Sequence, residues 1–335
     1  MNNSRKVLSF TGGGGSFLTG FTMAEILLSL TIIGVVAAIT LPSLTGNINE
    51  RTWNTQRKAL YARMSQAIAL MPALNGYGTL TEDSSGTVIE DTAAETFVTN
   101  GLAKVLKINN ICDSEHLPDC GLPDKITPFA GTQIDFPQDL AELNPQNTSV
   151  YLTDVPSGGV TTWSYSQINS KAAGFETANG ESIAVYYNPR CTTLLAEAND
   201  VYAQQKMCAN FVYDLNGRKG PNTFGKDIGV ISVLYPTDSL VVAPIPHTQD
   251  ASDAVTPDAI SGVCKNQDAE YRMPTKEELA SLFFNKNIIG NMNAVRYWSS
   301  SLSSSIDEAW YTSFTTGLMR HDPHWPNNPV RCVKR

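Results

Sequence analysis

The chain has 335 residues, 42% of them hydrophobic, and a formal net charge of −8. That length supports one or two ordinary globular cores, and the composition excludes a disordered chain. The acidic balance argues against nucleic acid as a partner, because phosphate binding needs a basic field and no basic stripe is present.

The chain opens with Arg5 and Lys6, and the run GFTMAEILLSLTIIGVVAAITLPSL then starts at Gly20 with a single charge, Glu25. At the centre of a hydrocarbon layer a charge costs about 2.5–3.5 kcal/mol on the insertion scale, so a carboxylate in such a run points to function and calls for a partner. A secretory signal peptide cut near Ala38 is one competing reading, and a plain single-pass anchor is the other. The basic residues stand far from the apolar run, and the run is long enough to span a bilayer, which argues against the signal peptide. In each reading Arg5 and Lys6 stay cytoplasmic and the rest is exported.

Glycine, an aromatic residue, a short step to Glu and a long apolar run resemble the processing site and first helix of type IV prepilins and type II secretion pseudopilins. The resemblance implies a prepilin leader over residues 1–20, cut by a prepilin peptidase after Gly20, with Phe21 as the methylated new terminus. It implies Glu25 as the acid used in assembly with other pilin or pseudopilin subunits, Gly34 as the helix glycine and Pro42 as the bending proline.

Beyond Pro42 the helical pattern continues. Trp53, Arg57, Leu60, Tyr61, Met64, Ala67, Ile68 and Met71 recur at steps of three and four, which marks one face of an amphipathic helix. Pro72 and the Asn75-Gly76 and Gly78 cluster are expected to end it. Residues 21–72 thus read as one helix of about 75 Å. Its first half is expected in the inner membrane or a filament core, its second half against a head.

The head is expected over residues 73–245. Ser149–Leu152 and Ile183–Tyr187 read as strands between Gly, Pro, Asn and Asp turns. The six cysteines, Cys112, Cys120, Cys191, Cys208, Cys264 and Cys332, all lie beyond the apolar run, and an even count there reads as disulfides in an oxidising compartment. Six cysteines allow 15 connectivities; proximity favours Cys112 with Cys120, Cys191 with Cys208, and Cys264 with Cys332. Zinc is the competitor, unsupported by any CxxC pair or close His cluster.

Phe211–Tyr213 and Ile228–Leu234 read as two strands around D-x-N-G-x-x-G-P-N-x-x-G-x-D, a segment that resembles one in the heads of many exported prepilin-type proteins. Asp214, Asn216, Asn222 and Asp227 set four oxygen side chains in a glycine-rich loop, and hard cations such as calcium take their ligands from loops of this kind. The spacing is not that of an EF-hand. The other reading is a hairpin whose Asn216-Gly217 turn supplies positive φ while Asp214 and Asn222 cap backbone amides.

Leu240–Gly262 has the composition of a linker or surface crossing, and a distinct module is expected over 263–335. Thr275 to Glu278 is a capping box that starts a helix burying Leu279, Leu282 and Phe283. Cys264, RMPTKEEL, YWSS, AWYTSF and VRCV, in that order, resemble the C-type-lectin-like modules of bacterial surface proteins. The resemblance implies a Cys264–Cys332 bridge and core roles for Trp298 and Trp310. The calcium-ligand motifs of sugar-binding lectins are missing, but His321, His324 and Trp325 form a compact loop that is the candidate contact for a carbohydrate or protein ligand.

No GxSxG elbow, Walker loop, HExxH or dinucleotide fingerprint is present, so no enzyme is expected. The expected fold class is α+β: a long N-terminal pilin helix packed on a β-rich head, followed by a lectin-like module. The expected function is a structural subunit, minor or at the tip, of a type IV pilus or type II secretion pseudopilus. A pilus-borne adhesin is the alternative. No cofactor is required in either, and calcium is the one candidate. The expected location is a single-pass inner-membrane precursor with an exported head, then a pilus, pseudopilus or cell surface.

Overall fold

The computed structural model describes residues 23–75, 92–143, 150–152, 161–163, 171–194, 205–235, 239–251, 263–265, 269–303, 308–315, 317, 319–322 and 328–334, some of them, including 37–49, 72–75 and 188–194, in backbone only. The chain divides into two units, residues 1–52 and 53–335.

Helix α1 (Met23–Asn75) contributes to both units. After it come α2 (Ala93–Thr96), a π-helical stretch (Phe97–Leu102) and α3 (Ala103–Val105), then β1 (Ile108–Cys112), a 3-10 turn (Leu117–Cys120), β2 (Lys125–Ile126), β3 (Ile134–Asp135) and α4 (Leu140–Leu143). The pair β4 (Val150–Leu152) and β5 (Thr161–Trp163) precedes β6 (Ala173–Thr177), β7 (Ser182–Leu194), β8 (Gln205–Asp214), β9 (Ile228–Tyr235) and β10 (Ser239–Val242). The chain then forms β11 (Ile245–Pro246), β12 (Tyr271–Arg272), α5 (Lys276–Phe284), α6 (Lys286–Ile289), the meander β13 (Arg296–Leu302), β14 (Ala309–Ser313) and β15 (Met319–Asp322), and β16 (Val333–Lys334).

The centre is a 6-stranded antiparallel sheet in the order β1-β6-β7-β8-β9-β10. Successive side chains of a strand point to opposite faces, and here both faces are buried. Ile183, Val185, Phe211, Tyr213, Ile231 and Val233 pack with Leu60, Met64 and Ile68 of α1 and with Phe97 and Leu102. The alternate residues Ala184, Tyr186, Val212, Val230 and Leu234 pack with Leu279, Leu282 and Phe283 of α5 and with Trp310 and Val333. Each fully buried side chain of this size contributes about 1.5–3 kcal/mol relative to exposure. The sheet is therefore the middle of three layers within residues 53–335.

The expected fold class is corrected by these observations. Among the described residues no helix is long and apolar enough to cross a membrane, which does not fit the expected single-pass membrane precursor. Among the described residues every other helix is short, with α5 the longest at 9 residues. The C-terminal residues share their core with the sheet: α5, Trp310 and Val333 pack with β7, β8 and β9. The physical reason is that a sheet apolar on both faces needs cover on both, and α1 covers only one. A small satellite cluster of Cys264, Met273, Trp298, Tyr311 and Cys332 is confined to the C-terminal part.

Several local expectations match the observed elements. Phe211–Tyr213 and Ile228–Leu234 lie in β8 and β9, and Thr275 caps α5, accepting from the Glu278 amide while the Glu278 carboxylate accepts from the Thr275 amide. Helix α1 runs to Asn75, past its expected end; Pro72, in its last turn, removes one ladder bond without stopping it. Disulfides join Cys112 to Cys120 and Cys264 to Cys332. Cys208 is also disulfide-bonded, and the side chain of Cys191 lies outside the described residues. These bonds fit an oxidising, extracellular location.

Candidate assembly surface and glycine-rich loop

The two halves of α1 are built differently. From Trp53 onward its buried residues Leu60, Met64, Ala67, Ile68 and Met71 follow the three- and four-residue steps of a single stripe. Polar clips fix the stripe in register. Tyr61 Oη donates to the Leu240 carbonyl at 3.1 Å, and Arg57 donates to the carbonyls of Gly225, at 2.6 Å, and Lys226. Arg63 forms an ion pair with Glu181, whose carboxylate also accepts from the Thr177 hydroxyl. The sequence places Arg57 on the helix face but names neither clamp, because Gly225 and Glu181 are distant along the chain.

From Met23 to Val36 the helix presents large apolar side chains in every direction. Leu27, Leu28 and Ile33 are each 63% exposed although they point to different sides of the helix. A helix apolar all round is ordinarily enclosed by other apolar surface. Glu25 lies in its first turn, and Gly34 has no neighbouring atom within 4 Å of where a Cβ would stand. Pro42 is helical in backbone with its side chain outside the described residues, and Gly20 and Phe21 lie outside them altogether.

The glycine-rich loop connects β8 to β9. Asp214, the last residue of β8, and Asp227, the residue before β9, are both buried, and the Leu215 amide donates to the Asp227 carbonyl at 3.1 Å. Asp227 accepts the Asn222 amide at 2.8 Å on one oxygen and the Thr223 amide at 2.9 Å on the other. Asp214 Oδ1 accepts the Asn216 amide at 3.0 Å. Capping thus falls to Asp214 and Asp227 rather than to Asp214 and Asn222. Gly217 has φ 64° and Asn222 φ 49°, the left-handed conformations expected of a Gly and tolerated by Asn. Burial pushes the Asp214 carboxyl up to about 7; the Asn216 and Gly217 amides oppose the rise, and the Asp227 charge adds to it.

In the C-terminal part, His321 Nδ1 lies 2.6 Å from Glu308 Oε2 and its ring meets Trp310 edge-on at 4.8 Å. His324 and Trp325 lie outside the described residues. Trp298 and Trp310 are core residues, packed in different clusters. Among the described residues no three His, Cys, Asp or Glu side chains gather as a metal cluster. The chain matches no protein-family model, and no curated protein matches it.

Proposed function

We propose that the protein is an exported structural subunit of a filament of the type IV pilus or type II secretion pseudopilus kind. It is cut after Gly20 by a prepilin peptidase and assembled through residues 23–36 of α1. The carrying observation is the contrast within one helix: a single buried stripe from Leu60 to Met71, and exposed apolar side chains on all sides from Met23 to Val36. The occupant that suits the exposed half is the same segment of further copies, because identical apolar helices packed side by side cover each other. In that packing the Glu25 carboxylate is set against the amino terminus of a neighbouring Phe21, so that two charges leave water together.

The test is incorporation of Leu28→Lys and Ile33→Lys variants into fibres sheared from producing cells. Both should be lost from fibres while the thermal melt of the purified protein stays at the wild-type midpoint. Wild-type incorporation of either variant overturns the proposal. Glu25→Ala should fold normally, retain its disulfides and assemble poorly. The adhesin reading gains nothing from His321, which is held by Glu308.

A further inference from the structure

The loop between β8 and β9 carries oxygens that its own hydrogen bonds do not use. Asp214 is fully buried, and its Oδ2 has no hydrogen-bond partner. Asn216 Oδ1 and Asn222 Oδ1 are likewise buried without one. The Asn216 amide cannot relieve this by flipping, because its Nδ2 donates to the carbonyls of Lys219 at 2.5 Å and Gly220 at 3.3 Å, and the reverse orientation would set oxygen against oxygen. A buried polar atom without a partner costs about 1–3 kcal/mol, more when it is charged. Three such atoms in one loop, all of them oxygens, call for an electron-poor ligand.

We propose that this loop binds calcium, with Asp214 Oδ2, Asn216 Oδ1 and Asn222 Oδ1 as side-chain ligands and Asp227 as the clasp that holds the far rim. The rims are tied at their base: Asp214 pairs with Ile228 across the ladder, and the Leu215 amide donates to Asp227. Oxygen-only ligands on a loop that bends at Gly217 and Gly225 suit a large hard cation that accepts irregular shells of six to eight oxygens, with water completing the set. Magnesium demands a small octahedron and gives up its waters reluctantly. With one carboxylate oxygen open and the remaining side-chain ligands neutral, the affinity belongs to the weak extracellular class, with Kd on the order of 10⁻⁴–10⁻³ M. The proposal is independent of the filament reading and would survive its failure.

The test uses the purified full-length protein stripped with EDTA, melted alone and with calcium or magnesium chloride. At about 10 mM, calcium should raise Tm by roughly 3–8 °C and magnesium by less than half as much. Asp214→Asn keeps the shape of the side chain and removes its charge; its melt in EDTA should be no lower than wild type, and its response to calcium should vanish. Asn222→Asp, tolerated at positive φ, should lower the calcium concentration for the half-maximal shift several-fold. An absent calcium shift, an equal magnesium shift, an undiminished shift in Asp214→Asn, or an unchanged half-maximal concentration in Asn222→Asp would each overturn the assignment.

Discussion

Asn210 and Asn285, 75 residues apart, exchange two hydrogen bonds inside the core: Asn210 Nδ2 donates to Asn285 Oδ1 at 2.6 Å and Asn285 Nδ2 donates back at 3.0 Å. Both side chains are fully buried, and Ser232 Oγ joins them by donating to Asn210 Oδ1 at 2.8 Å while lying 2.8 Å from Ser281 Oγ. This polar patch fixes the register of α5 and α6 on the sheet, where an apolar contact alone would tolerate sliding.

Asn210→Leu leaves the buried Asn285 Oδ1 without its donor, while Asn285 Nδ2 keeps its bond to the Ser281 carbonyl at 2.8 Å. The expected loss is roughly 2–3 kcal/mol, read as a lower midpoint in denaturant titration with the Cys112–Cys120 and Cys264–Cys332 disulfides intact. Asn285→Ala should cost a similar amount, and the double variant less than the sum of the two, because each single change already breaks the same pair.

Gly290 ends α6 at φ 74° and ψ 162°, a region that only glycine occupies readily. A Cβ there would stand 2.0 Å from the carbonyl oxygen of Ala130. Gly290→Ala should therefore destabilise the fold by about 3 kcal/mol. Thermal melting checks it, and an unchanged midpoint would mean that the turn at residues 128–131 yields freely.

The Cys264–Cys332 bridge spans 68 residues of sequence, and in the chain-entropy model such a bridge stabilises by roughly 4 kcal/mol. Since this segment shares a core with the sheet, Cys332→Ser should lower one cooperative transition rather than melt a separate module. Hydrogen exchange would read it directly: amides of β8 and β9 should lose protection together with those of β14.

The His116 imidazole is held above its ordinary value, chiefly by its hydrogen bond to Asp113 at 2.8 Å and then by the charge of that carboxylate. Because the folded value is the raised one, whatever the pair contributes is fully present below about pH 6.5 and is lost as pH rises through the raised value. In an NMR titration Asp113→Asn should move the His116 midpoint down.

Local chemistry was readable in the sequence and long-range pairing was not. Thr275 and Glu278 announce a helix start by their spacing, and Asn216-Gly217 announces a turn. Ile183–Tyr187 reads as a strand from its residue types, but an unbroken apolar run does not say that Ala184 and Tyr186 face a different core from Ile183 and Val185. Asn210 and Ser232 carried a signal, as polar residues inside apolar strands, yet their partners in α5 and α6 lie too far along the chain to be named. The same distance hid the buried Arg331, which donates to Asp250 at 2.6 Å. In the loop, the residue types mark Asp227 as a cation ligand, and its caps on Asn222 and Thr223 follow from a backbone path that residue types do not specify.

The double-sided sheet constrains when this protein is able to fold. Strands β6 to β9 and the stripe of α1 are made early, but the other face of those strands is covered only in part, by residues 117–143, until residues 279–333 have been made. During that interval the chain carries an open apolar surface, and Cys264 has no Cys332 to oxidise with. The core on that face is thus completed only by the C-terminal residues, and closure of the Cys264–Cys332 bridge waits on the same segment.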